Sequence, residues 1–433
     1  MMRKNIFLLL ILITFLSLDG EIIAQGWRQW RGPDMNGSTT TTNLPIEWSD
    51  KTNIVWNISL PGDNYSIPAI YNTNIFVTSS GSYGRILLLD IAMKNGTTVW
   101  ENEIGRIEDQ ENKSLLDFIT SIPPIANPRY VWAFFKTGDI VAFNHDGDAL
   151  WSKNLNKEPH ISQKLSFEHS CFLLYDEKLY LIAETEEEHQ FLLICFDAEE
   201  GHFQWIKEIS TVKSTCECSL LSYANMSTQQ LILSYSNGTI ALSPKDGNLI
   251  WKYEWTSSDS SHIPAIPAAE QEILIIPIIA EKRIIAVKPE AIKNNLKKED
   301  ILWEIKTDSL SKQVLPACYE EKLYYLEDPA TLTCRNAKTG KQLWSGQFDS
   351  SETFDSPLLA ADHKIYCISN KGTVFITETG DHFEIIACLK MDESHHKTSP
   401  IASNQRLFIR NDSKFYCIKN RRWIRFMDNV FLD

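Results

Sequence analysis

Residues Lys136–Trp151 read KTGDIVAFNHDGDALW. A short apolar run, Ile140 to Phe143, leads into a polar turn holding Gly147, and a second short run ends on Trp151. Alone, this is a β-hairpin signal. It decides the fold because it recurs. CFDAEEGHFQW ends at Trp205, ALSPKDGNLIW at Trp251 and CRNAKTGKQLW at Trp344, each with a small residue ten positions before the Trp and a Gly (Gly201, Gly247, Gly340) four before it. LLDIAMKNGTTVW, ending at Trp100, reads as the same pattern with two extra residues. AVKPEAIKNNLKKEDILW, ending at Trp303, carries a longer insertion in the turn. VFITETGDHFE keeps Gly380 and sets Glu384 where the Trp would fall, and NIVWNISL leaves Trp56 as an isolated piece near the N-terminus.

A second signal precedes each mark: SIPAIYNTNIFVTSS from Ser66, SIPPIANPRYVWAFF from Ser121, LPACYEEKLYYL from Leu315 and their counterparts. Each is two β-type runs around a tight polar turn. Eight such signals are present when the degenerate LLSYANMSTQQLILSYS from Leu220 is included. One repeat is therefore four short strands, A to D, with the Trp on D, and the marks recur about every 47 residues. That spacing predicts an all-β chain folded as an eight-bladed β-propeller of four-stranded antiparallel blades. A pair of β-sandwiches would not produce the fixed Gly-x-x-x-Trp spacing.

A blade cannot bury both its faces alone. Trp56, Trp100, Trp151, Trp205, Trp251, Trp303 and Trp344 are expected to wedge against the neighbouring blade, each bringing a large apolar area. Gly147, Gly201, Gly247, Gly340 and Gly380 are expected at turn positions needing positive φ. The stray piece at Trp56 implies that a strand at 53–59 completes the last blade, near 398–420, so that the ring closes and no edge is left between the chain ends. The expected organisation is a leader over 1–24, an N-terminal arm over 25–52 and the propeller over 53–433.

The leader is read from Arg3 and Lys4, an apolar run from Ile6 to Leu16, and a small residue, Ala24, before Gln25. This is a secretory signal pattern, too short for a comfortable membrane span. An exported, periplasmic or extracellular protein with no transmembrane segment in the mature chain is expected; an uncleaved N-terminal anchor is the alternative. The formal net charge of -14 argues against nucleic acid as a partner. The nine cysteines include no adjacent pair and no Cys-x-x-Cys. Cys195, Cys334 and Cys417 fall where other blades have Ala142, Ala241 and Ala286. Cys171 is matched to Ala69, Cys318 to Ile70 and Cys367 to Val77, so cysteine reads mainly as a small buried apolar residue. Cys216 and Cys218 are the candidates for reactive or paired thiols. His395 and His396, adjacent on an extended segment, point opposite ways and do not chelate together.

The repeat resembles the pyrroloquinoline-quinone-type propeller motif, Ala-x-Asp-x-x-x-Gly-x-x-x-Trp. Cys195, Asp197, Gly201 and Trp205 follow it with Cys for Ala, and Ala241, Gly247 and Trp251 follow it with Ser243 for Asp. WRQWRGPDMNGS from Trp27 is similar to the arm that opens many secreted bacterial proteins of this type. The resemblance spans residues 27 to about 420. It implies either a quinone-dependent dehydrogenase or a cofactor-free scaffold of the bacterial envelope. The chain departs from the enzymes: it lacks their adjacent Cys-Cys pair, and their calcium ligands and catalytic Asp match no motif here. No catalytic, cofactor or metal residue is therefore assigned. The expected function is an exported, non-catalytic binding or scaffolding propeller with a protein, polar small-molecule or saccharide partner in the envelope. The alternatives are a quinone-dependent dehydrogenase, with the quinone and calcium as cofactors, or another enzyme built from propeller loops.

In a propeller the A–B and C–D turns emerge on one face and the B–C and D–A connections on the other. The A–B turns here are short. The long connections are D–A (101–120, 152–168 and 206–219), joined by B–C excursions near 79–85 and 184–190. The partner is expected on this long-loop face, at an acidic surface including Glu108, Asp109, Glu186, Glu187 and Glu188 that suits a cationic or polar partner.

Overall fold

The computed structural model describes residues 26–49, 51–62, 66–108, 113–188, 190–209, 219–224, 228–235, 237–255, 267–307, 309–311, 315–391, 398–411 and 414–420. The expected leader, Asp109, Cys216, Cys218, His395 and His396 lie outside the described residues. Among the described residues no helix is long and apolar enough to cross a membrane.

The chain folds into eight antiparallel sheets, each a blade with strands in the order A-B-C-D. Blade 1 comprises Ala69–Tyr71, Asn74–Gly81, Arg85–Ala92 and Thr98–Arg106. Blade 2 comprises Ile125–Ala126, Tyr130–Phe134, Asp139–Asn144 and Ala149–Asn154. In blade 3 strand A is split into Leu165–Ser166 and Phe172–Tyr175, followed by Lys178–Thr185, Phe191–Asp197 and Phe203–Ile209. Blades 4 to 7 follow in the same way, with D strands Leu249–Glu254, Ile301–Lys306, Gln342–Gln347 and Ile385–Lys390. The inner A strands of successive blades pack against one another and so surround the axis.

Blade 8 is built from both ends of the described chain. Ile401–Ser403, Arg406–Arg410 and Phe415–Lys419 are completed by Ile54–Ile58, which pairs antiparallel with Phe415–Lys419. Lys419 N–H donates to Asn53 O at 2.8 Å where the two ends meet.

The register explains the small residues of the repeat. On strand C, Ala142 lies opposite Trp151, Cys195 opposite Trp205, Ala241 opposite Trp251, Ala286 opposite Trp303, Cys334 opposite Trp344 and Cys417 opposite Trp56. A large ring on one strand leaves room only for a small partner across the pair. In blades 2 to 6 the register slips immediately after the pair, a β-bulge that increases local twist.

Two blades depart from the sequence reading. In blade 1 the residue opposite Trp100 is Asp90, ten positions before it, and Gly96 (φ 75°) precedes the Trp by four. The turn has the standard length with no extra residues; an acid simply occupies the small-residue position. In blade 7, Ile376 lies opposite Ala387, so Ala387 and not Glu384 holds the Trp position. Gly380 stands seven residues before Ala387 rather than four, and the longer turn does not need it at positive φ.

The insertion in blade 5 has its own structure. Asn294–Asn295 folds back and pairs in parallel with strand D of blade 4, Asn294 opposite Trp251, covering that blade's outer edge.

Candidate functional site

The seams between blades share one construction. A Cβ added to Gly96, Gly147, Gly201, Gly247 or Gly340 would approach to 2.6–2.9 Å of Trp56, Trp100, Trp151, Trp205 or Trp303 respectively. Each Trp therefore lies flat on the C–D turn of the next blade, and glycine is needed both for positive φ and for this close approach. The indole N–H finds a carbonyl in the same turn: Trp56 to Met93, Trp100 to His145, Trp151 to Ala198 and Trp303 to Ala337, at 2.9–3.3 Å. Trp344 donates to Gly380 O at 2.9 Å and meets the Phe383 ring. Trp251 faces no such turn, because blade 5 carries its insertion there; its N–H goes to Gln230 Oε1 at 2.9 Å. The Trp205 N–H has no partner among the described residues, and the Pro244 carbonyl of the adjoining turn accepts from Tyr180 Oη at 2.9 Å.

The first seam contains a buried acid. Asp90 is fully buried. Its Oδ2 accepts from Asn74 Nδ2 at 2.5 Å, and Oδ1 has no partner among the described residues. Burial pushes this carboxyl up to about 6. From blade 2, His145 packs on Phe76 and Tyr71 in the same seam, its Nε2 also unpartnered and its basicity lowered by desolvation.

The short-turn end of the axis is closed by the arm. Residues 26–49 pass the inner strands in order. Trp27 O accepts from Ile70 N (blade 1) and Arg28 O from Ala126 N (blade 2), at 2.7 and 2.8 Å. Gln29 Oε1 accepts from Leu174 N of blade 3 at 3.3 Å, and the Met35 sulfur meets Ser222 of blade 4. Asn36 Nδ2 donates to Ala269 O of blade 5, and Asn36 O accepts from Cys318 N of blade 6. Gly37 O accepts from Ala360 N of blade 7. The Trp48 indole then reaches the sulfur of Met391, just past strand D of blade 7, at 3.0 Å. Trp27, Arg31, Met35 and Asn36 are all buried. The arm leaves grooves of about 540 Å³ beside blades 2 to 4 and about 380 Å³ beside blades 4 and 5 on this face.

The other end is open beside blades 2 to 4. A pocket of about 290 Å³ is lined by Trp30, Ser121–Pro123, Lys136, Glu168–Phe172 and Leu220. Its walls are the residues leading into strands A and the B–C turn of blade 2, and Trp30 reaches it from the arm. Lys136 is fixed by a bond to Glu168 O at 2.9 Å and by the Phe118 ring, 3.8 Å from its ammonium. Phe118 lies on a short helix, Lys113–Ile119, in the connection between blades 1 and 2.

The expected acidic surface is smaller than the sequence suggested. Strand D of blade 1 extends to Arg106, so Glu101 and Glu103 are strand residues, ion-paired with Arg85, and Glu103 also with Arg106. Glu184, next to the end of strand B of blade 3, is buried. Glu108 is exposed just past strand D of blade 1; Glu186, Glu187 and Glu188 are exposed in the blade 3 B–C turn, Glu186 paired with Lys164 at 3.0 Å.

Seven described cysteines form no disulfide: Cys171, Cys195, Cys318, Cys334, Cys367, Cys388 and Cys417. Burial pushes Cys195 and Cys417 up to about 12 and Cys334 to about 11, which keeps these thiols inert at neutral pH. Cys171 does not occupy the level of Ala69. The strand register puts Leu173 there, and Cys171 lies two residues upstream, in the open pocket. Cys388, exposed on strand D of blade 7, had no signal in the repeat. Among the described residues no group of three or more His, Cys, Asp or Glu is placed to hold a metal ion.

Eight four-stranded blades, a Trp-on-Gly seam and an arm across one end define a PQQ-like β-propeller. A family model described as "Outer membrane protein assembly factor BamB" matches residues 38–253 and 230–422, and the chain belongs to this family. BamB from Moraxella catarrhalis is similar in structure at 13% identity and a TM-score of 0.57, over 84% of this chain and 99% of that one. A europium-containing methanol dehydrogenase is similar at 11% identity and a TM-score of 0.63, over 88% and 89% of the two chains. The quinohemoprotein alcohol dehydrogenase from Comamonas testosteroni is similar at 10% identity and a TM-score of 0.63, over 93% and 82%. At these identities the likeness is one of fold. No curated protein matches the chain in sequence.

Proposed function

We propose that this protein is an exported, non-catalytic scaffold of the cell envelope that binds a protein partner through its long-loop face. The observation that carries the reading is the unlike treatment of the two ends of the ring. One end is closed by the protein's own arm, bonded to the inner strands of successive blades. The other presents the longer connections and a short helix on a rigid frame, the arrangement in which binding surfaces are usually found. Family membership supports a protein as the partner, since the matching family is described by its role in outer-membrane protein assembly. Glu108, Glu187 and Glu188, exposed on this face, favour a partner with cationic groups. The test is charge reversal of Glu108, Glu186, Glu187 and Glu188 to Lys. Capture of the native partner should weaken at least tenfold while the melting temperature holds. Undiminished capture would move the binding surface elsewhere. The quinone-dependent reading is tested separately: added quinone with calcium should show no saturable change in its absorption on mixing with the protein.

A further inference from the structure

Arg31 is 4% exposed, on the arm between its contacts with blades 3 and 4, and its side chain reaches blade 6. Its backbone lies in the left-handed region (φ 71°), a strained setting for a residue with a side chain. The guanidinium Nη2 donates to Pro316 O, just before strand A of blade 6. Nε and Nη1 meet no acceptor among the described residues, which leaves three N–H groups idle. Burial lowers the guanidinium to about 10, so it remains a cation at neutral pH. The ionisable group acting on it is the Cys318 thiol, itself held neutral by full burial. Glu270 acts in turn on that thiol, and Asp34 on Glu270, and Arg31 forms no ion pair with either.

A buried, unpaired guanidinium is among the least favourable arrangements a folded chain can hold. Water could satisfy the donors but would leave the charge unbalanced. We propose that a small oxyanion of the carboxylate or phosphate class binds Arg31 inside the arm-closed end of the ring. The anion completes the hydrogen bonds of Nε and Nη1, neutralises the buried charge and so fastens the arm across the inner strands. Guanidinium suits this class because its donors match planar or tetrahedral oxygen groups.

The test uses the full mature chain and Arg31→Met, with inorganic phosphate and formate as probes in an otherwise chloride-free zwitterionic buffer. Native protein denatured in acid should release about one equivalent of anion per chain by ion chromatography, and Arg31→Met none. At a hundredfold excess over Kd, the better of the two anions should raise the wild-type melting temperature by about 3 °C and leave Arg31→Met unmoved. Which anion acts tells carboxylate from phosphate. Without anion the order should reverse, Arg31→Met melting above wild type because Met leaves no idle charge. If Arg31→Met does not fold, Arg31→Lys serves: it keeps the charge with fewer donors, and its anion shift should be smaller but present. The proposal falls if wild type releases no anion and melts alike in both, or if the variants shift as much as wild type.

Discussion

The two ends of this propeller are built from the same strands and finished differently. At the short-turn end the A–B hairpins close in tight turns; in blades 3, 6, 7 and 8 both turn residues are left-handed, as at Asp176–Glu177 and Glu320–Glu321. Across them the arm gives up its backbone and side-chain bonds one blade at a time. At the long-connection end, backbone leaves the sheets for longer paths, with the short helix Lys113–Ile119 among them, and among the described residues no arm pairs across the inner strands. Stability is invested in one end, which leaves the other free to vary. Loops on a rigid frame can change with little cost to the fold, whereas a chain that pairs with the inner strands of successive blades cannot.

The largest expected effect comes from breaking the closed end. Deleting residues 26–60 removes the arm, strand Ile54–Ile58, Trp48 and Trp56, and so unpairs blade 8. No cooperative melting transition should remain by calorimetry; a truncated protein that melts at the full-length temperature would show that neither arm nor closing strand holds the ring.

Next in size are the seams. Trp56→Ala should cost about 3–5 kcal/mol, the usual range for a buried Trp, by denaturant titration. Trp151 sits in a comparable seam, on Gly201, and Trp151→Ala should fall in the same range if the seam formed by the chain ends is equivalent to an internal one. A loss at Trp56 far below that at Trp151 would mean that the ends are loosely joined.

Asp90 gives the pH-dependent comparison. Its folded carboxyl lies near 6, above the ordinary value of 3.8, so its contribution is fully present below pH 3.8. The contribution declines as pH rises and is lost once pH passes the folded value. The size of that shift corresponds to about 3 kcal/mol. Asp90→Ala restores the small residue found opposite Trp151 and should be more stable than wild type above pH 6.5, with the gap closing toward pH 4. Thermal melts that stay parallel across this range would show that the carboxyl is not desolvated as its surroundings imply. His145 changes in the opposite sense, and the comparison between variant and wild type cancels its share unless the two groups are coupled.

The smallest effect is expected at the open end. Reversing Glu108, Glu187 and Glu188 to Lys should alter stability by less than about 0.5 kcal/mol, as for exposed positions with no buried partner.

The sequence made the blades legible because their physics is local. A small residue, a turn Gly and a Trp at fixed spacing describe one strand pair and the seam it makes, and these recur. Asp90 was hidden because the position is recognised by size, and an acid there suggested a longer turn. Ala387 was hidden because the blade 7 turn is one residue longer, Ile376 and its partner being eleven positions apart instead of the ten of blades 1, 3, 4 and 6, and because Gly380, counted from the strand C residue, stands two positions earlier than the turn glycine of those blades. The arm carries no periodicity at all: its bonds to the inner strands are mostly made by backbone groups, which every residue possesses. The fold-back of Asn294–Asn295 onto blade 4 is likewise a long-range backbone pairing with no local signature. At the open end, residues such as Glu101 and Glu103 looked like loop acids until strand D proved longer and gave them arginine partners.

Site-specific photocrosslinking in the native cell tests the assignment of the two ends most directly. A photoreactive residue is placed singly at Glu108, Glu187 or Glu188 on the open end, and at Glu321 or His363 on the arm-closed end. A discrete protein adduct should form from the first three positions and not from the last two. Adducts formed only from Glu321 and His363 would place the working surface on the end that the arm covers and contradict the proposed function.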